Sequence, residues 1–300
     1  MEGSNIKKIE GVISVLLTPL SSNKVNIPEL EKLIDYQMRN GVDGFFICGT
    51  MGEGPLLTED QRKEIAEVVI NYVVGKLPII VHVGSMDTAT AVRLAKHAEK
   101  SGADAIASVA PYYFLYDDAS IIQHFKTIAE SVSIPFFIYN QPALTGRNLT
   151  PELVRELIKI PTIQGIKDSS RSLEQISELV ELKDDFIVLV GGDWLFLPAL
   201  SVGAKGCISD TANLFPKIVV NVYKAFKEGD MNKAKYYHQK LMALRKIFRK
   251  GPYISNLKYA VELVTGIRLG EVIKPLRGLT EAEKLWLSEE IKKFQHDLHE

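Results

Sequence analysis

Eight short apolar runs constrain this chain more than any other feature. They occupy residues 12–17, 44–48, 78–83, 105–109, 135–139, 162–166, 186–190 and 206–209, each bounded by Gly, Pro or Asp. They are rich in Ile, Val and Phe and do not alternate with polar residues, the pattern of strands buried on both faces in a parallel sheet. The segments between them carry helical spacing and helix-start signals. Thr58-Glu-Asp-Gln61 has the form of a capping box, and Thr150-Pro151 sets a capping hydroxyl before a first-turn proline. One joint recurs: Gly41, Gly102 and Gly203 each stop a helix just ahead of an apolar run. Eight such repeats favour a closed (β/α)8 barrel over an open doubly wound sheet. No GxGxxG follows the first run, so the main mark of a dinucleotide-binding sheet is missing. Beyond Asp230 only amphipathic stretches remain, at 230–249, 253–264 and 280–298. The sequence therefore predicts an α/β chain with a TIM barrel over 1–228 and a helical extension over 229–300, packed on the barrel.

Composition narrows the function. In 300 residues, 37 Asp and Glu face 36 Lys and Arg for a net charge of −1, and no run of five basic residues occurs, which argues against a nucleic-acid partner. The two cysteines, Cys48 and Cys207, are too few for a disulfide framework, and the six histidines form no HxH or HxxH, so a metal site is not expected. The opening MEGSNIKKIE lacks the apolar core of a signal peptide, and the uncharged stretch 11–23 is too short to span a bilayer. A cytoplasmic protein without a membrane partner is the expectation.

In such a barrel, chemistry gathers at the C-terminal ends of the strands. Three groups fall there: Gly49-Thr50-Met51-Gly52-Glu53-Gly54, Tyr139-Asn140-Gln141-Pro142 and Gly165-Ile166-Lys167-Asp168-Ser169. Lys167 closes an apolar run, so its amine projects toward the barrel mouth. A lysine in a dry cavity loses hydration of its charged form and becomes a nucleophile toward carbonyls. The competing reading is a strand-end lysine paired with Asp168. Tyr139 is either core packing or a phenol that shuttles a proton. The glycine-bracketed Thr50-Met51 is either a flexible turn or a carboxylate cradle of free N–H groups. Ser169 and Asp210, at the ends of the sixth and eighth runs, are candidates for substrate contacts or for helix caps, and His82 reads as a core or rim histidine.

Taken together, GTMGEG, Pro111-Tyr112-Tyr113, YNQP and GIKDS, in this order and spacing, resemble the dihydrodipicolinate synthase/N-acetylneuraminate lyase family of pyruvate-dependent class I aldolases. The resemblance runs from about Gly11 to Ile208. It implies a Schiff base between Lys167 and a 2-oxo acid, usually pyruvate, with no metal or organic cofactor. It implies Tyr139 as proton shuttle, Thr50 as its relay, and Tyr113 reaching into a neighbouring subunit's site. Thr50 and Met51 would hold the pyruvate carboxylate, and Gly192 and Ile208 would join the substrate contacts. A shared tyrosine needs a homo-oligomer, and the family suggests a tetramer built from dimers.

Departures from the family pattern bear on the second substrate. Members that make dihydrodipicolinate carry an arginine two residues after the proline of YNxP, where this chain has Leu144. Sialic-acid lyases place acids where this chain has Trp194 and Leu195, and many members have Ser or Thr at the position of Met51. On these grounds the sequence predicts a 2-keto-3-deoxygluconate-type aldolase, cleaving a 2-keto-3-deoxy sugar acid or similar hydroxy-keto acid to pyruvate and an aldehyde. The alternative is 4-hydroxy-tetrahydrodipicolinate (dihydrodipicolinate) synthase, condensing pyruvate with aspartate semialdehyde. A non-catalytic 2-oxo-acid sensor ranks below both.

Overall fold

The computed structural model describes residues 8–294. Residues 1–7 of the expected barrel segment and 295–300 of the expected extension lie outside the described residues. Eight parallel strands close into a barrel: β1 (Gly11–Val15), β2 (Gly44–Ile47), β3 (Ile79–His82), β4 (Ala105–Val109), β5 (Phe136–Asn140), β6 (Ile163–Asp168), β7 (Ile187–Val190) and β8 (Gly206–Ser209). Each pairs with the next, and β8 returns to β1 through Val12 beside Cys207. The strands are buried along nearly their whole length, which is why their sequences show no alternation.

The helices around the barrel start and stop as their local chemistry dictates. Thr58 and Gln61 form the reciprocal capping box at the start of α2 (Glu59–Val73), which follows α1 (Ile27–Arg39). Asp87, Asp117, Thr150 and Ser172 cap four of the helices that follow, α3 (Thr88–Ser101), α4 (Asp118–Ala129), α5 (Pro151–Leu157) and α6 (Leu173–Val180). The three repeated joints are left-handed glycines, with φ of +84° at Gly41, +91° at Gly102 and +104° at Gly203. The short α7 (Phe196–Ser201) and the longer α8 (Pro216–Lys227) complete the ring.

One strand differs from its expected bounds in a way that matters. The run 162–166 stops before Lys167, but β6 continues to Asp168. A charged side chain ends an apolar run in the sequence without ending the strand, because the barrel interior accepts it. Gly165, within β6, has no room for a side chain: a Cβ there would sit 2.4 Å from the Phe137 ring and 2.6 Å from the Ile187 carbonyl oxygen. The pairing of β5 with β6 shifts register between Phe136 and Phe137, and beyond that shift Tyr139 stands directly beside Lys167.

Three helices follow the barrel: α9 (Met231–Phe248), packed along α8, then α10 (Tyr253–Thr265) and α11 (Glu281–Lys292). A small antiparallel hairpin, Leu20–Ser21 with Lys24–Val25, lies after β1 and has no counterpart among the sequence expectations. Among the described residues no helix is long and apolar enough to cross a membrane, and Cys48 and Cys207 are both free and buried.

Candidate active site

Lys167 rises inside the barrel from β6 and is only 3% exposed. Its Nζ lies 4.1 Å from the centre of the Phe46 ring and 4.0 Å from that of Tyr139. Among the described residues no carboxylate stands within ion-pair distance of it. Asp168, on the opposite face of the strand, takes hydrogen bonds from Asn140 Nδ2 and Gln175 Nε2, both at 2.8 Å, and from the Ser170 amide at 3.0 Å. The Lys167–Asp168 pair weighed from the sequence is thus not formed, because adjacent strand residues face opposite ways. Aromatic faces stabilise the ammonium, and no fixed counter-ion holds the amine away from a carbonyl.

Tyr139 is equally enclosed. Its hydroxyl is 3.3 Å from Thr50 Oγ1 and accepts from Gln141 Nε2 at 3.3 Å. Burial alone would raise its pKa. The Lys167 cation and the hydrogen bonds of Thr50 and Gln141 outweigh burial and hold the phenol below its ordinary value. The rings of Phe46 and His82 meet Tyr139 edge-on, at 5.7 Å each. His82 is buried and held neutral, its pKa pushed well down by burial, then by the charges of Arg62 and Lys167. Its Nδ1 therefore carries the proton donated to the Cys48 carbonyl at 3.1 Å. His82 steadies the Tyr139 ring without adding charge to the site.

The Thr50–Met51 turn is rigid. Cys48 and Glu53 both have left-handed backbones, at φ 57° and 58°. Gly54 donates to the Gly49 carbonyl, and a Cβ on Gly54 would meet the Cys48 carbonyl oxygen at 1.8 Å. Thr18 Oγ1 donates to the Gly52 carbonyl at 2.8 Å. Glu53 then ties the turn to the C-terminal helices. Its carboxylate lies 2.5 Å from Lys258 Nζ on α10, both side chains nearly sealed from solvent, and accepts from the Ile273 amide at 2.6 Å.

Seven residues singled out from the sequence, Thr50, Met51, Tyr139, Lys167, Ser169, Ile208 and Asp210, line one cavity of about 330 Å³ at the C-terminal end of the barrel. Ser169 caps no helix; its hydroxyl reaches the Gly191 carbonyl at 3.4 Å. Asp210 makes no side-chain cap and accepts from Tyr253 Oη at 2.5 Å. Beside it, Asp193 is pushed well above the carboxylate range by burial and then by Asp210's charge. Gly192 is not brought to the cavity; Gly191 lines it, and a Cβ on Gly192 would collide with the Trp194 ring at 2.2 Å. Tyr113 also lies outside it, 84% exposed beside Phe114 and Leu115. The sequence reading gave Gln141 and Glu53 no role beyond their motifs and did not reach the arginines Arg171, Arg249 and Arg277, which line the cavity with Gln141. They come from three separate segments, so no motif spacing joins them. Among the described residues no group of three or more His, Cys, Asp or Glu is arranged to hold a metal ion.

Comparison with known proteins gives this site its family. Residues 8–294 match the model of the dihydrodipicolinate synthetase family. A 4-hydroxy-tetrahydrodipicolinate synthase of Syntrophus aciditrophicus is 38% identical over 276 residues, 92% of this chain and 94% of that protein. Another of that name from Methanopyrus kandleri is 38% identical, covering 96% of this chain and 97% of its own. Among solved structures, a prophage protein of the dihydrodipicolinic acid synthase family from E. coli K12, in complex with pyruvate, superimposes with a TM-score of 0.92 at 32% identity, over 96% of this chain and 99% of that one. These relatives correct the sequence expectation of a sugar-acid aldolase, since they support the dihydrodipicolinate alternative instead. That expectation took Leu144 to mean that the cavity had lost its cation, whereas three arginines from other segments surround the same cavity. With a buried lysine that no carboxylate pairs among the described residues and a hydrogen-bonded tyrosine at the mouth of a closed eight-stranded barrel, the chain belongs to the dihydrodipicolinate synthetase family, enzymes of the pyruvate-dependent class I aldolase type.

Proposed function

We propose that this chain is a 4-hydroxy-tetrahydrodipicolinate synthase that condenses pyruvate with aspartate semialdehyde. The observation that carries the reading is the Lys167 amine, buried against Phe46 and Tyr139 with no carboxylate partner among the described residues. The names of the relatives support the choice of aldehyde.

In this reading the neutral amine of Lys167 attacks the pyruvate carbonyl, and a water leaves as the imine forms. The protonated imine draws electrons from the methyl carbon, which loses a proton and becomes an enamine. The enamine attacks the aldehyde carbon, and Tyr139 gives its proton to the oxygen that becomes the hydroxyl. Thr50, 3.3 Å away, relays a replacement proton to the Tyr139 phenolate so formed. The amino group of the aspartate semialdehyde moiety then replaces Lys167 on the imine carbon, which closes the ring and frees the enzyme. The amides of Thr50 and Met51 hold the pyruvate carboxylate, with Ser169, Ile208 and Asp210 completing the pocket and Gly192 acting through the packing of Trp194. Residues 1–228 and 229–300 would serve this one site together, since Arg249 and Tyr253 of the extension line the same cavity. Tyr113 would be supplied to a neighbour's site within a homotetramer built from dimers. A reducing cytoplasm is the proposed location, in keeping with two buried free thiols.

The test is borohydride reduction with pyruvate, followed by intact mass, beside a condensation assay with aspartate semialdehyde. The expected results are one pyruvate adduct that Lys167→Ala abolishes, and turnover that requires both substrates. An adduct that survives Lys167→Ala would remove the proposed nucleophile, and trapping without condensation would remove the proposed aldehyde.

A further inference from the structure

The cavity carries more positive charge than pyruvate requires. Of the three arginines on its lining, Arg277 is already matched, with its guanidinium 2.7 and 2.8 Å from the Glu283 carboxylate oxygens. Arg171 and Arg249 are not: among the described residues no carboxylate comes within ion-pair distance of either. The one acidic side chain on the lining, Asp210, is engaged by the Tyr253 hydroxyl. Both unmatched guanidiniums are instead oriented by aromatic faces. Arg171 stands 5.6 Å and Arg249 5.8 Å from the centre of the Trp194 ring, and Arg249 also lies 4.5 Å from that of Tyr253.

This arrangement suits a ligand better than it suits packing. An indole face fixes a guanidinium plane while leaving its N–H edges free, and those edges match the two oxygens of a carboxylate. A third guanidinium, Arg245, lies 4.1 Å from the same ring, so three like charges gather beside only two nearby acids, Asp210, already engaged by Tyr253, and Asp193, whose charged form burial disfavours. Arg171 also holds a left-handed backbone, φ 71°, which few residues other than glycine adopt; such strain is most often kept where a side chain must be aimed. On another part of the wall, Leu144 offers only hydrocarbon.

We propose that Arg171 and Arg249, oriented by Trp194, bind the carboxylate of the second substrate and so set the enzyme's preference for an anionic aldehyde. The proposal rests on the reading of this site as a pyruvate-imine enzyme that takes aspartate semialdehyde. Charge-assisted hydrogen bonds of this kind are worth about tenfold or more in affinity each.

Steady-state kinetics of Arg171→Gln and Arg249→Gln test it, with thermal melting to verify folding; both residues are exposed on the rim. KM for aspartate semialdehyde should rise about tenfold or more in each variant, while KM for pyruvate and the yield of the borohydride-trapped pyruvate adduct stay as in the wild type. An unchanged KM for the semialdehyde in both variants overturns the proposal, as does a rise confined to KM for pyruvate. Should the wild type trap pyruvate but fail to condense it with aspartate semialdehyde, the functional reading falls and the subsite is tested separately with succinic semialdehyde against butyraldehyde. A preference for the charged aldehyde that both variants lose then supports the arginine pair, and no preference in the wild type removes it.

Discussion

At the residue scale, the site turns on the balance of charge around one phenol. Burial disfavours the Tyr139 phenolate, and the nearby Lys167 ammonium favours it; the cation, aided by Thr50 and Gln141, prevails. The sign of a mutation follows. Lys167→Met removes the cation and leaves burial, so the Tyr139 hydroxyl should titrate at higher pH in the variant than in the wild type. Ultraviolet difference titration, with Tyr139→Phe as the reference that identifies this one tyrosine, measures it. A downward shift would show that Lys167 does not govern the phenol. Tyr139→Phe itself keeps the ring packed against Phe46 and His82 while deleting the proton carrier. Its kcat should fall by about 10²–10⁴-fold, the usual contribution of a positioned acid or base, with the trapped pyruvate adduct still formed. An adduct lost together with turnover would instead assign Tyr139 to imine formation.

At the scale of elements, the turn after β2 depends on a helix more than two hundred residues away. Glu53 and Lys258 form a buried ion pair between that turn and α10, and burial lowers the Lys258 pKa while Glu53 opposes the shift. Removing one member of such a pair strands the other charge, at a cost of about 3–5 kcal/mol, whereas replacing both with apolar groups of similar size is often near neutral. Glu53→Leu and Lys258→Met should each lower stability by that order, and the double variant by much less than their sum, as measured by chemical denaturation. Additive losses would mean the two side chains stabilise the fold independently. This strut also shows what sequence reading reaches. The eight strands were legible because a parallel barrel buries both faces, and Lys167, Tyr139 and Thr50 because each follows or ends an apolar run. Glu53 was visible only as a motif letter, since its partner is fixed by tertiary packing. The hairpin Leu20–Ser21 with Lys24–Val25 was illegible because two-residue strands have no periodicity to read. The substrate was misjudged at Leu144 for a related reason: a cavity's charge is summed over every segment that reaches it, and Arg171 and Arg249 share no spacing with YNQP.

At the scale of the whole molecule, Tyr113 stands apart from the site cavity of its own chain. Tyr113 is 84% exposed with a left-handed backbone, φ 86°, and stands at the head of Tyr113-Phe114-Leu115, of which Leu115 is 92% exposed. Large apolar side chains exposed in a row favour cover by another protein surface, and a two-fold dimer would let each protomer supply this segment to the other. Complementation tests whether the tyrosine crosses over. Homo-oligomers of Tyr113→Ala and of Lys167→Ala should each be nearly inactive. Dissociated, mixed and reassembled, they form hybrids in which one site combines an intact Lys167 from the first variant with an intact Tyr113 from the second. With random pairing, half the dimers are hybrid and each holds one whole site of two, so activity should return to about a quarter of the wild-type value. If Tyr113 served the site of its own chain, no hybrid site would hold both residues and mixing would restore nothing.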